Sequence, residues 1–341
     1  MPVGPTEQAV VVPDGGLLVV HAHPDDETLA TGALLATWAA AGEPVTVVTC
    51  TRGERGEVID TPAHPTGVGH LEGDGPALAA HRERELAAAL DALGVRDHVF
   101  LDAVRVPTEA VSRGAQVPDA GWPARVVDSG MAWAAPGIAR ADAEAALEPG
   151  AFVGVDLDEA ARRLAAVVRD RRPAVVVTYE PGGGYGHPDH VRAHDVTVRA
   201  LALVRAAGGP VPRRWAVVMP ADVLRAARRE LGRVDAVRES LRETLDLPDP
   251  DEELPPVAQP ADVLRGVQVV AVAPVRDAVL GALRAHATQV QAVGAAHPSG
   301  STDSGDPGGA VDTVLAGWYA LSNDVLAPIV RYEYYLPADS R

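Results

Sequence analysis

The sequence predicts an α/β fold: a Rossmann-like, mostly parallel sheet with helices on both faces, plus a small C-terminal α+β part. Three observations lead to this. Apolar, β-branched runs at 17–20, 45–48, 98–101, 174–178 and 215–219 alternate with helical patterns at 27–41, 77–93, 158–169, 188–206 and 221–231. Strands this apolar, separated by amphipathic helices, belong to a parallel sheet covered on both sides. Dense groups of histidine and carboxylate follow the first and the fourth run directly, at the strand ends where such sheets bind ligands. Finally, 341 residues with 47% hydrophobic content can bury one large core with insertions.

Taken in order, the core is expected to span 15–245. Its first strand, Gly16-Leu-Leu-Val-Val20, passes into the helix at 27–41 through His21-Ala-His-Pro-Asp-Asp-Glu27. The second strand carries the single cysteine, Cys50, read as a buried strand residue. After the third strand, the Pro-, Gly- and Ala-rich segment 104–156 is too long for a plain connection and is read as an insertion forming a wall or lid of the active site. The fourth strand leads into Gly184-Tyr-Gly-His-Pro-Asp-His190, and Pro188 suits the first position of the helix that follows. An acidic, proline-rich linker at 246–262 cannot hold regular structure and separates the core from a C-terminal part, 263–341. That part has a strand at 267–272, a helix at 275–287 and a Gly/Ser-rich stretch, Gly294 to Gly309, expected to be mobile, and it is expected to pack near the active site.

Composition excludes several classes. A net charge of -17 without a basic run argues against nucleic-acid partners. No apolar run approaches the ~18 to 20 residues that cross a bilayer, and the N-terminus lacks a signal-peptide pattern, so the expected location is the cytoplasm. One cysteine allows no disulfide and no thiolate cage. All 30 basic residues are arginine, which removes Schiff-base chemistry, pyridoxal phosphate attachment and a Walker-type phosphate loop, each of which needs a lysine.

The two charged segments carry the chemistry. His23 and Asp26, three residues apart in the first turn of a helix, face the same side, whereas Asp25 is turned about 100° away. His23 and Asp26 can therefore share a metal while Asp25 remains a free carboxylate facing substrate. His187 or His190 would complete a set of two histidines and one carboxylate, leaving positions for water and substrate. A lone His-Pro-Asp is usually a helix cap, because Asp caps helices and Pro begins them, but two at matching places in an α/β pattern point to a shared site. Gly182-Gly-Gly184 is equally a turn or a close backbone approach. His64, His70, His81, His98 and His297 have no partner spacing and are read as solvated or structural.

At these segments the sequence resembles the LmbE-like, or PIG-L, zinc de-N-acetylase family, marked by His-Pro-Asp-Asp-Glu after the first strand and a later His-Pro-Asp-His. The likeness runs from Leu17 to about Tyr335 and includes Thr51-Arg-Gly-Glu54, Arg82-Glu-Arg-Glu-Leu86, Asp128-Ser-Gly-Met131, His286-Ala-Thr-Gln289 and Ala320-Leu-Ser-Asn323. It implies one zinc ion per subunit, with Fe(II) as an alternative occupant, held by His23, Asp26 and His190, and Asp25 as general base. It further implies that His187 stabilises the oxyanion or protonates the leaving amine, that Asp189 orients an imidazole, and that Tyr185 is a mobile group polarising the acetyl carbonyl. Arg82 and Asp128 would hold sugar and inositol hydroxyls, Met131 would line the pocket, and His286 and Gln289 would help close it.

The branch of the family that the segments resemble most removes the N-acetyl group of N-acetylglucosaminyl inositol, giving glucosaminyl inositol and acetate in actinobacterial mycothiol biosynthesis. A small-molecule amino-sugar inositol is then the partner, with no membrane and an open oligomeric state. The related mycothiol S-conjugate amidases carry a lysine at the position of Ala30, which favours the deacetylase over the amidase; another N-acetylglucosaminide remains a further substrate choice. Two other classes compete. A non-haem Fe(II) oxygenase would also use two histidines and a carboxylate but commonly sits on an all-β fold. A non-catalytic sugar-binding protein would have no use for Asp25 and His187 as spare acid/base groups.

Overall fold

The computed structural model describes residues 9–106, 122–135, 138–141, 148–240, 245–296 and 313–338. Parts of the 104–156 segment, the Gly/Ser-rich stretch from 297 on and His297 lie outside the described residues.

Among the described residues the elements are β1 (Ala9–Val10), β2 (Leu17–His21), α1 (Asp26–Ala40), β3 (Val45–Thr49), α2 (Gly75–Leu93), β4 (Asp97–Phe100), β5 (Met131–Ala135), β6 (Ile138–Ala141), α3 (Leu157–Arg171), β7 (Val175–Tyr179), α4 (Pro188–Ala206), β8 (Arg213–Pro220), α5 (Ala221–Leu231), α6 (Asp235–Ser240), β9 (Ala258–Gln259), β10 (Gln268–Ala271), α7 (Arg276–Ala285), β11 (Gln291–Ala295), β12 (Leu315–Ala320), β13 (Leu326–Val330) and β14 (Tyr332–Ala338). A nine-stranded sheet runs β1-β10-β14-β8-β7-β2-β3-β4, with β9 on β8. The five strands from β8 to β4 are parallel.

The apolar runs become β2, β3 and β7, buried at every position, because helices cover both faces. One face packs α1, α2 and α7 through Leu34, Trp38, Leu86, Leu90 and Leu283. The other packs α3 and α4 through Leu164, Val168, Val196 and Leu201. α3 shows why these segments are helical. Ala160, Ala161, Leu164, Ala165, Val167 and Val168 form its buried stripe at spacings of three and four, and Asp156 caps its start by accepting the Glu159 N–H at 2.8 Å. Such a cap stabilises by about 1 kcal/mol.

Two features depart from the sequence reading. The chain after the acidic linker does not stay beside the core: β10 and β14 extend the main sheet, β14 pairing antiparallel with both β8 and β10. Among the described residues after the linker, β11, β12 and β13 form a separate sheet. The expected helix at 275–287 stops at Ala285, because His286 leaves the helix to reach Glu27. Within the 104–156 segment, β5 and β6 make a hairpin whose Ala139 N–H donates to the Tyr185 carbonyl at 2.8 Å, which lays the hairpin against the second charged segment. No helix among the described residues is long and apolar enough to cross a membrane.

Candidate active site

Topology decides where the site lies. β2 connects through α1 to β3 on one side, while its other neighbour, β7, connects through α4 to β8 on the far side, so the two connections diverge and a crevice opens between the carboxyl ends of β2 and β7. The register pairs Leu17 with Val175 and Val19 with Val177, so β2 and β7 end level. The segment after β2 enters α1 at Asp26, and the segment after β7 enters α4 at Pro188, with His187 at the N-cap. Two helix N-termini therefore converge, each favouring carboxylate in its first turn: Asp26 in α1 and Asp189 in α4.

These residues meet closely. His23 Nδ1 lies 3.2 Å from Asp26 Oδ2, and His190 Nε2 lies 3.2 Å from Asp26 Oδ1. On its far side His23 Nε2 is 3.2 Å from Asp189 Oδ2 and 3.6 Å from Asp128 Oδ1. The His187 ring stands 4.6 Å from that of His23 and stacks 4.9 Å from that of His190. Tyr179 stacks on the other face of His190 at 4.2 Å, and Tyr185 meets His190 edge-on at 5.0 Å.

Asp25 stands beside this cluster. Its φ of 112° is outside the conformations an L-residue prefers, a strain of roughly 1–3 kcal/mol that surrounding bonds must offset. They are present. The Asp25 N–H donates to Glu27 Oε2 at 2.9 Å, and Arg82 Nη2 donates to both Pro24 O at 2.5 Å and Asp25 Oδ2 at 3.0 Å. Arg82 Nη1 also donates to Gly53 O at 2.8 Å, and a side chain on Gly53, which has φ +66°, would strike that guanidinium. Burial pushes the Asp25 carboxyl up to about 7, Arg82 pulling against that shift and Asp26 adding to it.

Beneath the site lies a second layer. Glu27 and His286, both fully buried, pair at 2.7 Å, and Thr28 Oγ1 donates to the same carboxylate at 2.5 Å. Burial opposes both charges, yet each partner holds the other ionised: His286 raised, Glu27 lowered. His21 Nε2 meets Thr31 Oγ1 at 2.9 Å, and the Ala22 N–H donates to Tyr179 Oη at 2.9 Å. The glycine run is structural: the Gly184 N–H donates to Glu180 Oε1 at 2.7 Å, and a Cβ on Gly183, φ +71°, would lie 2.8 Å from the Val191 nitrogen.

The donor set fits a divalent cation. Burial alone would lower the His23 imidazole, but Asp128, Asp189 and Asp26 hold it well above its ordinary value. Burial would raise Asp26, yet His190 and His23 hold it well below the carboxylate range. Three buried carboxylates thus demand positive charge at this point. His190 Nδ1 and Asp189 Oδ1 are buried without a hydrogen-bond partner, and His190 Nε2 has the Asp26 carboxylate at 3.2 Å but no aligned hydrogen bond. Among the described residues, His23, His187 and His190 each bring a nitrogen within 4.8 Å of one another, and His23, Asp128 and Asp189 do the same with one atom each. Nitrogen and carboxylate donors in such numbers suit zinc-like ions.

Residues 18–201 match the PIG-L family, described as GlcNAc-PI de-N-acetylase. The chain belongs to the PIG-L family. A relative from Kineococcus radiotolerans, named 1D-myo-inositol 2-acetamido-2-deoxy-alpha-D-glucopyranoside deacetylase, is 44% identical over 80% of this chain and 68% of its own length. One of the same name from Streptomyces avermitilis is 38% identical over 95% of this chain and 92% of its own. Among solved structures, an N,N'-diacetylchitobiose deacetylase from Pyrococcus horikoshii aligns with 80% of this chain and 70% of that chain at 16% identity and a TM-score of 0.43.

The residues singled out by the PIG-L resemblance do not all stand where that reading put them. His23, Asp26, His187, Asp189 and His190 come together, and Asp25 and Tyr185 stand beside them. Met131 is half-buried at the start of β5. His286 cannot close a pocket, because it is fully buried and its Nε2 is taken by Glu27. Arg82, only 3% exposed, turns its guanidinium to Asp25 and two backbone carbonyls and presents no free fork to a sugar. Asp128 is 5% exposed and aims at His23, its other contact being the Gly130 N–H at 2.8 Å. Gln289 donates to the Glu57 carbonyl at 2.8 Å. The sequence reading missed Tyr179 and Glu27. Their signal was adjacency alone: Tyr179 closes β7, and Glu27 follows the Asp25–Asp26 pair.

Proposed function

We propose that this protein is a zinc-dependent N-deacetylase acting on N-acetylglucosaminyl inositol, releasing acetate and glucosaminyl inositol in mycothiol biosynthesis. The observation that carries the reading is the division of labour between adjacent carboxylates: Asp26 turned into the histidine cluster, Asp25 turned away from it and tied to Arg82. The names of the 44% and 38% identical relatives supply the substrate.

In this reading His23, Asp26 and His190 hold the ion, which when bound polarises the amide carbonyl and eases deprotonation of water. Asp25 takes the proton of the attacking water at Oδ1, Oδ2 being held by Arg82. A carboxyl near 7 both accepts that proton and releases it to the departing amine nitrogen, as a base matched to neutral pH should. His187 is neutral, since burial and the neighbouring His23 and His190 hold it well below its ordinary value. Its Nδ1 accepts the Asp189 N–H at 3.1 Å, which leaves the ring proton on Nε2 for the developing oxyanion. Tyr185 offers a second donor to the same oxygen.

The test is amine release, followed with a fluorogenic amine reagent, from N-acetylglucosaminyl inositol, free N-acetylglucosamine and a mycothiol S-conjugate on zinc- and iron-loaded protein. The first substrate should be turned over most efficiently. Preference for the S-conjugate would make the protein an amidase, and no amine from any of them would end the hydrolase reading.

A further inference from the structure

We infer that the segment His286-Ala-Thr-Gln289, which follows α7 far along the chain, positions the general base Asp25: His286 acts through Glu27 on the Asp25 backbone, and Thr288 acts through Glu85 and Arg82 on its carboxylate. The inference rests on the N-deacetylase reading, in which Asp25 takes the proton of the attacking water.

Asp25 needs outside support. It joins β2 to α1 at φ 112°, and an L-residue leaves that conformation unless its neighbours hold it there. Helix α1 supplies only part of the hold, because it breaks at Thr31, φ -140° and ψ 17°, so its first turn belongs to a short piece. Beyond the break the helix starts afresh: the Ala33 and Leu34 N–H groups, released from the helix ladder, donate to Glu333 at 2.7 and 2.8 Å. The Asp25 carbonyl enters the short piece by accepting the Leu29 N–H at 2.9 Å. Its N–H and its carboxylate are held by side chains instead, Glu27 Oε2 at 2.9 Å and Arg82 Nη2 at 3.0 Å.

Both holding side chains are anchored in the one segment. Glu27 Oε1 meets His286 Nε2 at 2.7 Å and accepts the Thr28 hydroxyl at 2.5 Å, which leaves Oε2 turned to the Asp25 N–H. Arg82 and Glu85, three residues apart on α2, share a face of that helix. Glu85 accepts the Thr288 N–H at 2.8 Å and the Thr288 hydroxyl at 2.6 Å, one on each oxygen, so α2 cannot turn Arg82 away from Asp25 without breaking both. The segment is itself clamped: the Thr288 carbonyl accepts the Ile59 N–H at 2.9 Å, and His64 Nε2 lies 2.8 Å from the Ala287 carbonyl. Glu27, His286 and Thr288 are wholly buried and Glu85 nearly so, and none of them can meet substrate directly.

Packing alone does not ask for these groups. His286 Nδ1 is buried with no hydrogen-bond partner, a penalty that an apolar side chain of the same size avoids. Apolar residues in place of a buried ion pair often leave stability unchanged, so what the Glu27–His286 pair adds is a fixed acceptor for the Asp25 N–H.

The experiment is a cycle of variants in zinc-loaded protein, with kcat and KM measured for amine release from N-acetylglucosaminyl inositol, and zinc content and thermal unfolding followed alongside. His286→Leu keeps the volume and removes the donor. It should retain zinc, leave KM within about twofold and lower kcat on the order of 10²-fold, as a misplaced reacting group does. His286→Gln, whose amide can donate to Glu27, should restore most of that loss. Thr288→Val removes one of the two bonds to Glu85 and should lower kcat roughly tenfold. In an Asp25→Asn background, where no base is left to position, neither variant should lower kcat further. A loss of equal size in both backgrounds, a loss of zinc, or a rise in KM with kcat unchanged would overturn the inference and give the segment to the fold, the metal or the substrate. Should His286→Leu not fold, Thr288→Val with and without Asp25→Asn decides alone. If the wild type hydrolyses no amide, the N-deacetylase reading fails by itself. Crystal structures of the variants then decide the positioning, which requires Asp25 to leave Arg82 or to lose its positive φ once either tie is cut.

Discussion

On one side of the site, His23, Asp26, His187 and His190 stand around the first turns of two helices that leave neighbouring parallel strands. On the other side, Leu29, Leu321, Ile329 and Glu333 converge from opposite ends of the chain on a cavity whose wall is mainly apolar, with Glu333 bonded to two backbone N–H groups and Arg228, Glu252 and Asn323 also in the lining. The charged side depends on position: every group is buried, and the Asp26 carboxylate and the His23 ring each meet an opposite partner at 3.2 Å. The apolar side depends on volume and tolerates exchange of side chains of similar size. Changes on the first side should therefore remove function outright, and changes on the second should alter selectivity or pH response.

The largest effect should come from His190→Ala. Metal analysis of the purified variant should show loss of stoichiometric zinc, and amine release should fall to background. His187→Ala should keep its zinc. If the two variants exchange these outcomes, His187 is the ligand, in keeping with its place among the three converging imidazoles. Asp25→Asn comes next. It should retain zinc, lose roughly 10² to 10⁴-fold in turnover and lose the acidic limb of the pH profile. Loss of zinc together with activity would make Asp25 a ligand and erase its contrast with Asp26.

A smaller effect is expected from Arg82→Ala. Arg82 pulls the Asp25 carboxyl down against the burial that raises it to about 7. Removing the guanidinium should raise that value further, so the acidic limb of kcat/KM should move to higher pH. Activity near pH 6.5 should fall about tenfold for each unit of displacement. Because the guanidinium faces Asp25 and not solvent, the loss should be equal on N-acetylglucosamine and on N-acetylglucosaminyl inositol. A loss confined to the inositol substrate would restore the sugar-holding role that the sequence suggested.

The charged side was legible in the sequence because it is local. A strand, a Pro-Asp-Asp-Glu or His-Pro-Asp-His segment and a helix start fix where His23, Asp26, His187 and His190 lie, and the alternation of strand and helix brings the two segments to one sheet edge. Helix starts at Asp26 and Pro188 fell within a residue of expectation for the same reason. What the sequence hid depends on long-range packing. Arg82 and His286 sit in polar segments, and only the fold shows that one is turned to Asp25 and the other to Glu27. The entry of β10 and β14 into the main sheet was equally hidden, since their short apolar runs do not specify a partner strand. Glu333 was invisible for the strongest reason: its role is to cap a break in α1, at the other end of the chain.

Glu333 also gives the smallest test, on the apolar side. Burial pushes its carboxyl from the ordinary 4.5 up to about 7, with the Tyr335, Ala33 and Leu34 hydrogen bonds pulling it back. A folded value above the unfolded one means that the native state binds this proton more tightly. The resulting stabilisation is complete below about pH 4.5 and is lost as pH rises through 7. Glu333→Gln cannot ionise, so it should lack this component while suffering a pH-independent cost of about 1 kcal/mol, because one amide oxygen replaces two acceptors for the Ala33 and Leu34 N–H groups. Asp25 titrates in the same range, so the informative quantity is the difference between wild type and variant, measured by denaturant unfolding of zinc-loaded protein from pH 5 to 8. That difference should shift in favour of the variant by on the order of 2 kcal/mol across the range. A difference that stays constant with pH would mean that Glu333 does not change its protonation across the range, and the cavity it lines would keep one charge state throughout.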